Sequence, residues 1–522
     1  MFNLVGYLTE LKRNISKRDI FLILIIISCF FLTRIINLDK FPIFSDEGIY
    51  IHWSKVAWKD ASWRFISLTD GRQPLQTWGI IPFLKIFETN ALLAGRLFSV
   101  TGGLFALIGI IISGWYLLGK RVGFIAGFLY VFTPYFLFYD RLALVDSTMN
   151  AFTIWILLLS VLLGRKVRLD IALILGFVSG FGLLAKSSVK LYLGMAFFSI
   201  LFILLEDSFS VRLFVKNIKS KLFKKPNKPY EIISFIFLYG VVGFLAVLMY
   251  NVQRLSPFFH FVSEKNKTFI LTFSELLKNP LDYFSHNITN LPYYIFSETG
   301  MVFFVVAIVG LYFLYKKQKR IGIYFLIWLV GGMLSISLVA RVLFPRYVLS
   351  LGGLMIIPAA YMISLINDKR RYLGIIAIFL LSVIYFNYTI IFDYKNIPLP
   401  KIDRGQYLED WPAGWGIKEI VSFARSKSKE KPVILLAEGG FGMSGDVLDI
   451  YLLPGDKISI KSYWPLNIES LLENQPLLND SSIYIVFSHR NEFPQDWPIK
   501  KIEEYKKPGG RSSMFLFELK DK

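Results

Sequence analysis

The sequence predicts an α-helical polytopic membrane protein that ends in a small soluble α/β domain. Hydrophobic residues make up 54% and aromatic residues 17% of the 522 residues, and the mean hydropathy is +0.52. These values lie well above those of soluble proteins. Apolar runs of about 20 residues recur along the chain, whereas the strands of a membrane barrel would be about half as long and would alternate in polarity. The pattern therefore favours membrane-spanning helices.

Eleven apolar runs predict membrane spans, although the two short runs around Lys186 could form one helical hairpin or a re-entrant pair. The eleven runs are Phe21–Ile36, Ala91–Leu118, Val122–Phe138, Leu142–Leu163, Ile171–Leu184, Leu191–Leu205, Ile232–Tyr250, Met301–Tyr315, Ile321–Ala340, Tyr347–Ile366 and Leu373–Phe392. The first run holds the only cysteine, Cys29, so the sequence excludes an intrachain disulfide and a cysteine metal site. No small-residue cleavage site follows this run, and we interpret it as a retained span.

Basic residues collect in alternate connections between the runs, which predicts that these connections are cytoplasmic. The clusters are Lys12 to Arg18, Lys120 and Arg121, Arg165 to Arg168, Arg212 to Lys228, Lys316 to Arg320, and Lys369 to Arg371. The net charge of +20 then reflects topology and contact with the lipid bilayer. No nucleic-acid partner is needed to explain it. The expected location is the plasma (inner) membrane, with the N-terminus in the cytoplasm.

The longer connections fall on the opposite, exofacial side. Residues 39–90 are expected to form helices in the membrane interface, because Ile49, Trp53 and Val56 recur at helical spacing among other aromatic residues. A loop that merely rests on lipid is the alternative. The expected domains are a transmembrane domain, 1–393, and an exofacial α/β domain, 394–522. In the second domain PVILLAE, SSIYIVFS and SSMFLFELK predict strands, and VLDIYLL predicts a helix.

Acidic and basic residues recur on the predicted exofacial side of the bundle, where an ionisable group is costly and is a functional candidate. The acids are Asp46, Glu47, Asp70, Asp140 and Asp146, and the cations are Arg72, Arg141, Lys186, Lys190, Arg341 and Arg346. This combination suits sugar transfer from a lipid-linked phosphate. The departing phosphate needs positive charge, and the attacking hydroxyl needs a base.

Six motifs in order along the chain carry a resemblance to a known family. They are Asp46-Glu47, GRQPL, AGRLFSV, RLALVD, LLAKSS and FPRYVLS. Over roughly residues 20–366 the sequence resembles the polyprenyl-phosphate-sugar-dependent glycosyltransferases of the GT-C fold. It is most similar to the branch of protein O-mannosyltransferases and bacterial lipid A aminoarabinose transferases. The resemblance implies an inverting, mannosyltransferase-like enzyme of the cell envelope that takes a polyprenyl-phosphate-linked sugar as donor and a hydroxyl group as acceptor.

The resemblance also implies roles for individual residues. Asp46 is expected to be the general base, Glu47 to orient it or the acceptor, and Asp146 to complete the catalytic group. The expected donor-phosphate ligands are Arg72, Arg141, Lys186, Arg346 and Tyr347, although Arg141 could instead only pair with Asp146, and Lys186 could snorkel from the end of a span.

Departures from the family pattern affect the question of a metal. Many members have Lys-Pro-Pro where this chain has Arg72-Gln73-Pro74, and aminoarabinose transferases have an acid where this chain has Gly71. His260 and Glu264 have i, i+4 spacing and are weak candidates for contact with substrate or metal, but two ligands are too few to predict a metal site. The sequence therefore predicts no required cofactor, and it leaves the binding of a divalent metal as an alternative.

Two other functions remain open. A transporter or flippase for a lipid-linked or anionic solute would also place charges inside a bundle, but its usual repeated halves are not evident. An O-antigen ligase or polymerase would share the type of substrate but would use a diphosphate-linked glycan. The sugar and the acceptor are not specified by the sequence.

Overall fold

A computed structural model describes residues 15–205, 228–279 and 281–521. Helices dominate the first 400 residues, and a five-stranded sheet lies in the last 90 residues. The basic residues Lys12 and Arg13, and nearly all of the run that begins at Arg212, lie outside the described residues.

Within these described ranges, six helices are long and apolar enough to cross a membrane, and two further pairs of bent helices raise the number to eight if each pair is one span. The six are Ala91–Leu118, Val145–Lys166, Lys228–Leu255, Lys319–Val339, Pro345–Ser364 and Lys369–Phe392. The bent pairs are Lys120–Phe132 with Pro134–Asp140, and Phe284–Thr299 with Met301–Lys317. The predicted count of eleven is therefore not confirmed. Helix Lys17–Ile35 carries four charged residues, and Leu169–Ala185 and Val189–Leu204 are short.

The break at Pro134 explains one buried arginine. Proline lacks the N–H that would bond the carbonyl of Tyr130, so the preceding helix ends with free carbonyl groups. Arg34 donates hydrogen bonds to the carbonyls of Tyr130 (3.2 Å) and Val131 (2.5 Å) and forms a fully buried ion pair with Asp140 (3.3 Å). Inside a bilayer no water is available to bond these carbonyl groups. Arg34 supplies the hydrogen bonds that the helix loses at the bend.

Helix packing is closest at glycines. A Cβ atom at Gly310 would lie 2.0 Å from the carbonyl oxygen of Pro358, and one at Gly103 would lie 2.5 Å from the Asp140 carboxyl. Helices Met301–Lys317 and Leu349–Ser364 therefore approach backbone to backbone, as small residues allow in membrane bundles.

The first long connection contains helices Ser45–Lys59 and Leu75–Ile86 and a short 3₁₀ helix, Ile66–Asp70. Ile49 and Trp53, which give the connection its helical spacing, are buried within the protein. This connection continues into helix Ala91–Leu118, and its first helix begins at the pair of acids.

The C-terminal sheet contains β1 (Val433–Glu438), β2 (Ile458–Tyr463), β3 (Ser482–Phe487), β4 (Ile499–Lys506) and β5 (Ser513–Leu519) in the order β2-β1-β3-β5-β4. Strand β1 is parallel to β2 and β3, with Leu435 opposite Ile460 and Tyr484. Strand β5 is antiparallel to β3 and β4. Helices Ile417–Lys427, Gly445–Asp449 and Ile468–Asn474 accompany the sheet.

The glycine-rich turn after β1 attaches this sheet to helix Ser45–Lys59. The hydroxyl of Ser45 accepts a hydrogen bond from the Met443 amide (3.1 Å), and a Cβ atom at Gly48 would lie 2.4 Å from Val447. Asp449 accepts from Lys55 (3.0 Å) and bonds His52 (2.9 Å). The helix that begins with the two acids is thus held between the bundle and the sheet.

Candidate functional site

The adjacent acids Asp46 and Glu47 point to different surroundings because successive residues of a helix are about 100° apart. Glu47 is fully buried and accepts from Nε and Nη2 of Arg96, both at 2.8 Å. It also accepts from the backbone amides of Phe44 (3.0 Å) and Ala143 (2.7 Å). Asp46 instead lines a cavity. The two carboxylates therefore have different roles.

Asp46 lies in a chain of alternating charges. Its two carboxylate oxygens accept from Arg72 (3.1 Å) and Arg346 (2.9 Å). Arg72 also pairs with Asp70 (2.9 Å), and Asp70 pairs with Lys265 (2.7 Å). The side chains are partly exposed, from 9% for Arg346 to 27% for Lys265, so this cluster can meet a ligand without unfolding.

A second ion pair adjoins the chain. Lys186 donates to Asp146 at 2.6 Å. The ring of Tyr347 lies between the two groups, with its centre 4.4 Å from the Lys186 ammonium and 5.4 Å from the Arg346 guanidinium. Lys186 follows the C-terminal end of helix Leu169–Ala185, and Asp146 lies in the first turn of helix Val145–Lys166. The fold thus brings together six of the predicted site residues, namely Asp46, Arg72, Asp146, Lys186, Arg346 and Tyr347.

The charges of this cluster do not cancel. Its cations outnumber its carboxylates by one when every group is ionised. The cations are Arg72, Lys186, Lys265 and Arg346, and the carboxylates are Asp46, Asp70 and Asp146. The Asp403 carboxyl, on which Arg346 also acts, is a further acidic group beside these residues.

The electrostatic environment decides how basic Asp46 is. Burial alone would raise the pKa of its carboxyl, but the guanidinium groups of Arg72 and Arg346 outweigh burial and hold the pKa well below its usual range. In this arrangement Asp46 is a weak base. A ligand that neutralises the two arginines would raise its pKa.

The cavity beside Asp46 has a volume of about 600 Å³ and lies between the helical bundle and the C-terminal sheet. The bundle contributes Asp46, Phe344 and Arg346. The C-terminal part contributes Gln406, Trp411, His489, Asn491 and Arg511. The volume is in the range of sites for small ligands.

A buried acidic pair lies behind Arg346. Asp403 accepts a hydrogen bond from the hydroxyl of Tyr139, and its carboxyl and that of Glu298 act on each other electrostatically. Burial raises the pKa of the Asp403 carboxyl, while the Tyr139 hydroxyl and Arg346 act in the opposite direction. Sequence reasoning missed this pair because the two acids are separated by more than 100 residues.

Four predicted site residues lie outside the cluster. Arg141 donates to the backbone carbonyls of Thr33 (2.8 Å), Arg34 (2.9 Å) and Asn37 (3.1 Å), where helix Lys17–Ile35 ends, and does not pair with Asp146. Glu47 is the buried partner of Arg96. The other two, His260 and Glu264, are exposed, and the His260 ring bonds the carbonyl of Pro257. Among the described residues there is no group of three His, Cys, Asp or Glu that could hold a metal.

Lys265 belongs to the cluster and was not predicted. It lies on helix Phe261–Phe269, one residue after Glu264. Its only sequence signal is the polar stretch SEKNK, which is typical of any solvated helix face.

A protein-family model, dolichyl-phosphate-mannose-protein mannosyltransferase, matches residues 72–221. The match includes four of the predicted residues, Arg72, Arg141, Asp146 and Lys186, but neither Asp46 nor Arg346. A comparison with curated proteins gives no match.

Solved structures match over nearly the whole chain. ArnT from Cupriavidus metallidurans, in the apo state and bound to undecaprenyl phosphate, aligns with a TM-score of 0.57 and 12% identity over 95% of this chain and 97% of ArnT. The apo oligosaccharyltransferase of Archaeoglobus fulgidus aligns with a TM-score of 0.50 and 13% identity over 90% of this chain and 69% of that protein. The chain therefore has the GT-C fold that the sequence predicted, and it is an integral multi-pass membrane protein.

The buried position of Glu47 leads to a prediction about stability. We expect Glu47→Gln to lower the free energy of unfolding by about 3–5 kcal/mol, because it leaves the Arg96 cation buried without a counter-charge. Thermal unfolding in detergent, followed by intrinsic fluorescence, measures the change. Glu88→Gln, in the exposed end of the same connection, is the control and should unfold as the wild type does. Equal unfolding temperatures for the two variants would contradict the structural role of Glu47.

Proposed function

We propose that this protein is an inverting glycosyltransferase that moves a monosaccharide from a polyprenyl-phosphate donor to a hydroxyl acceptor at the outer face of the membrane. The observation that carries the proposal is the cluster around Asp46, in which a carboxylate and an excess of cations meet at a cavity. The family-model match and the similarity to ArnT bound to undecaprenyl phosphate support the class of donor.

The donor phosphate binds to Arg72 and Arg346 in this proposal. A guanidinium group can hold two phosphate oxygens at once, and Nε of Arg346 has no hydrogen-bond partner in the described part of the chain. Lys186 and Tyr347 line the same site, and Asp146 holds the Lys186 ammonium in place. Arg141 and Glu47 act only by positioning the backbone around the cluster.

The reaction is a displacement at the anomeric carbon. The acceptor oxygen forms a bond to C1 from the face opposite the phosphate, the C1–O bond to the phosphate breaks, and its electron pair stays on the phosphate oxygen. The acceptor hydroxyl gives its proton to Asp46. Because the leaving phosphate gains one negative charge, the arginines bind it more strongly in the transition state than in the bound donor.

Donor binding also activates the base. In the free protein Arg72 and Arg346 keep the pKa of Asp46 low. A bound phosphate supplies negative charge to both arginines and therefore raises that pKa, which makes Asp46 a better proton acceptor. The base then becomes effective only after the donor is in place.

The comparisons favour a monophosphate donor over a diphosphate-linked glycan. The matching family model is that of a dolichyl-phosphate-mannose-dependent transferase, and ArnT is seen bound to undecaprenyl phosphate. A transporter needs only weak, reversible binding of its solute. A carboxylate beside the phosphate ligands can accept the proton of an acceptor hydroxyl, and transport does not require this step. We therefore favour the transferase.

The basic clusters of alternate connections support an orientation with the N-terminus in the cytoplasm and residues 394–522 outside it. We expect a cysteine introduced by Lys429→Cys, an exposed position, to react with an impermeant thiol reagent in intact cells. Arg370→Cys, in a predicted cytoplasmic loop, should react only after lysis. The reverse pattern would contradict both the orientation and an exofacial active site.

The function itself is tested by donor turnover. Purified protein in lipid nanodiscs is incubated with a panel of polyprenyl-phosphate monosaccharides, and we expect one of them to release free polyprenyl phosphate. Asp46→Asn should slow this release by about 10²- to 10⁴-fold because the base is lost, while donor binding is retained because both arginines remain. Asp60→Asn, an exposed acid of the same connection, is the control. Near wild-type turnover by Asp46→Asn would exclude Asp46 as the base.

The phosphate site is tested by replacing its arginines with lysine, which keeps the charge and removes the planar fork. We expect Arg346→Lys and Arg72→Lys each to weaken donor binding by about 10- to 150-fold, the effect of one lost hydrogen bond to a charged group. Lys186→Arg should be tolerated. Arg341→Lys is the matched control, since Arg341 pairs with Glu275 in an exposed position. Unimpaired binding by both arginine variants would remove the proposed phosphate site.

A further inference from the structure

The wall of the cavity that faces the bundle cluster comes from the C-terminal part of the chain. Trp411, Gln406, His489 and Asn491 lie on this wall, and Asp46 lies on the opposite one. The backbone joins the walls directly, because Ser45 N donates to the carbonyl of Pro412 at 2.9 Å. A molecule held by the C-terminal wall is therefore next to the proposed base.

An aromatic surface is the first feature of this wall. The Trp411 ring packs against the His489 ring, with centroids 4.6 Å apart and an angle of 30° between the rings. The Trp464 ring lies on the other side of His489 at 5.0 Å. Trp411 nevertheless remains 45% exposed. A rigid, partly exposed indole can pack against the apolar C–H face of a sugar ring.

An unsatisfied amide is the second feature. Both side-chain polar atoms of Gln406, Oε1 and Nε2, are buried and have no hydrogen-bond partner among the residues that the structure describes. Buried polar atoms are nearly always bonded, so an amide with both ends free beside a cavity points to a ligand. A primary amide donates and accepts, as a pair of neighbouring sugar hydroxyls does.

The charges of this wall favour a neutral molecule. Arg511, the wall's arginine, forms an ion pair with Glu409, which also accepts from Arg404 at 2.8 Å. Glu409 is shared by two guanidinium groups, and the Asp410 carboxylate, which also lines the cavity and acts on Arg511, supplies the second negative charge. The strands that lead into the wall, β3 and β5, are both inside the sheet, so neither offers a free edge to an extended peptide.

We propose that this wall is the acceptor subsite, and that the acceptor is the hydroxyl group of a neutral saccharide that stacks on Trp411 and bonds Gln406. The inference rests on the proposed function, since it names the acceptor class of the same site. The C-terminal part of the chain then selects the acceptor, while the bundle binds the donor.

The test separates acceptor use from donor turnover. Full-length protein in nanodiscs receives the donor identified above and either water alone, a panel of methyl glycosides, or a peptide rich in serine and threonine. We expect a methyl glycoside to be glycosylated. Trp411→Ala and Gln406→Leu should each raise its KM by about tenfold or more, the effect of one lost stacking or hydrogen-bonding contact. Trp63→Ala, an exposed tryptophan outside the cavity, is the control.

Binding of the same methyl glycosides, measured by saturation-transfer NMR, distinguishes the two proposals. Binding that is lost in Trp411→Ala and Gln406→Leu supports the subsite even if no donor is turned over, and then the proposed function alone fails. Glycosylation of the peptide but of no glycoside overturns the saccharide acceptor. An unchanged KM and unchanged binding in both variants overturn the subsite while donor turnover stands.

Discussion

The ion pair between Glu47 and Arg96 is the constraint on which the site depends. It uses both carboxylate oxygens of Glu47, and Arg96 also donates to the carbonyls of Leu38 (2.7 Å), Phe41 (3.0 Å) and Pro42 (3.2 Å). The chain between the first helix and helix Ser45–Lys59 is thereby held against helix Ala91–Leu118. Because Asp46 directly precedes Glu47 on a helix, its side chain points about 100° away from that of Glu47 and lines the cavity.

The charged residues of the bundle fall into two groups that differ in what they bond. Arg34, Arg96 and Arg141 bond backbone carbonyls where helices end or break, and each is at most 5% exposed. Arg72, Lys186 and Lys265 bond only carboxylates and keep about a fifth of their surface or more exposed. Residues of the first group satisfy backbone carbonyl groups that have no water to bond inside the membrane. Residues of the second group pair with carboxylates, which an incoming anion can replace.

This division also explains which features were predictable from sequence. Motif order put Asp46, Arg72, Lys186 and Arg346 on one side of the membrane, and the structure brings them together. The same motifs could not exclude Arg141, whose bonds depend on where helix Lys17–Ile35 ends. Three buried strands were predicted from continuous apolar runs. The edge strands β2 and β4 were missed, because ISIKSY and IKKIEEYK mix charged and apolar residues.

The docking of the sheet on helix Ser45–Lys59 gives the C-terminal part a physical connection to the proposed chemistry. The glycine-rich turn contacts Ser45 and Gly48, on either side of Asp46, and the sheet supplies His489 to the cavity. A shift of the sheet would therefore move one wall relative to the proposed base. A displacement of about 1 Å can cost about a hundredfold in rate when reacting groups must be aligned. Close packing at Gly48 and the ion pairs of Asp449 oppose such a shift, so the two proposed subsites can keep a common geometry although they come from opposite ends of the chain.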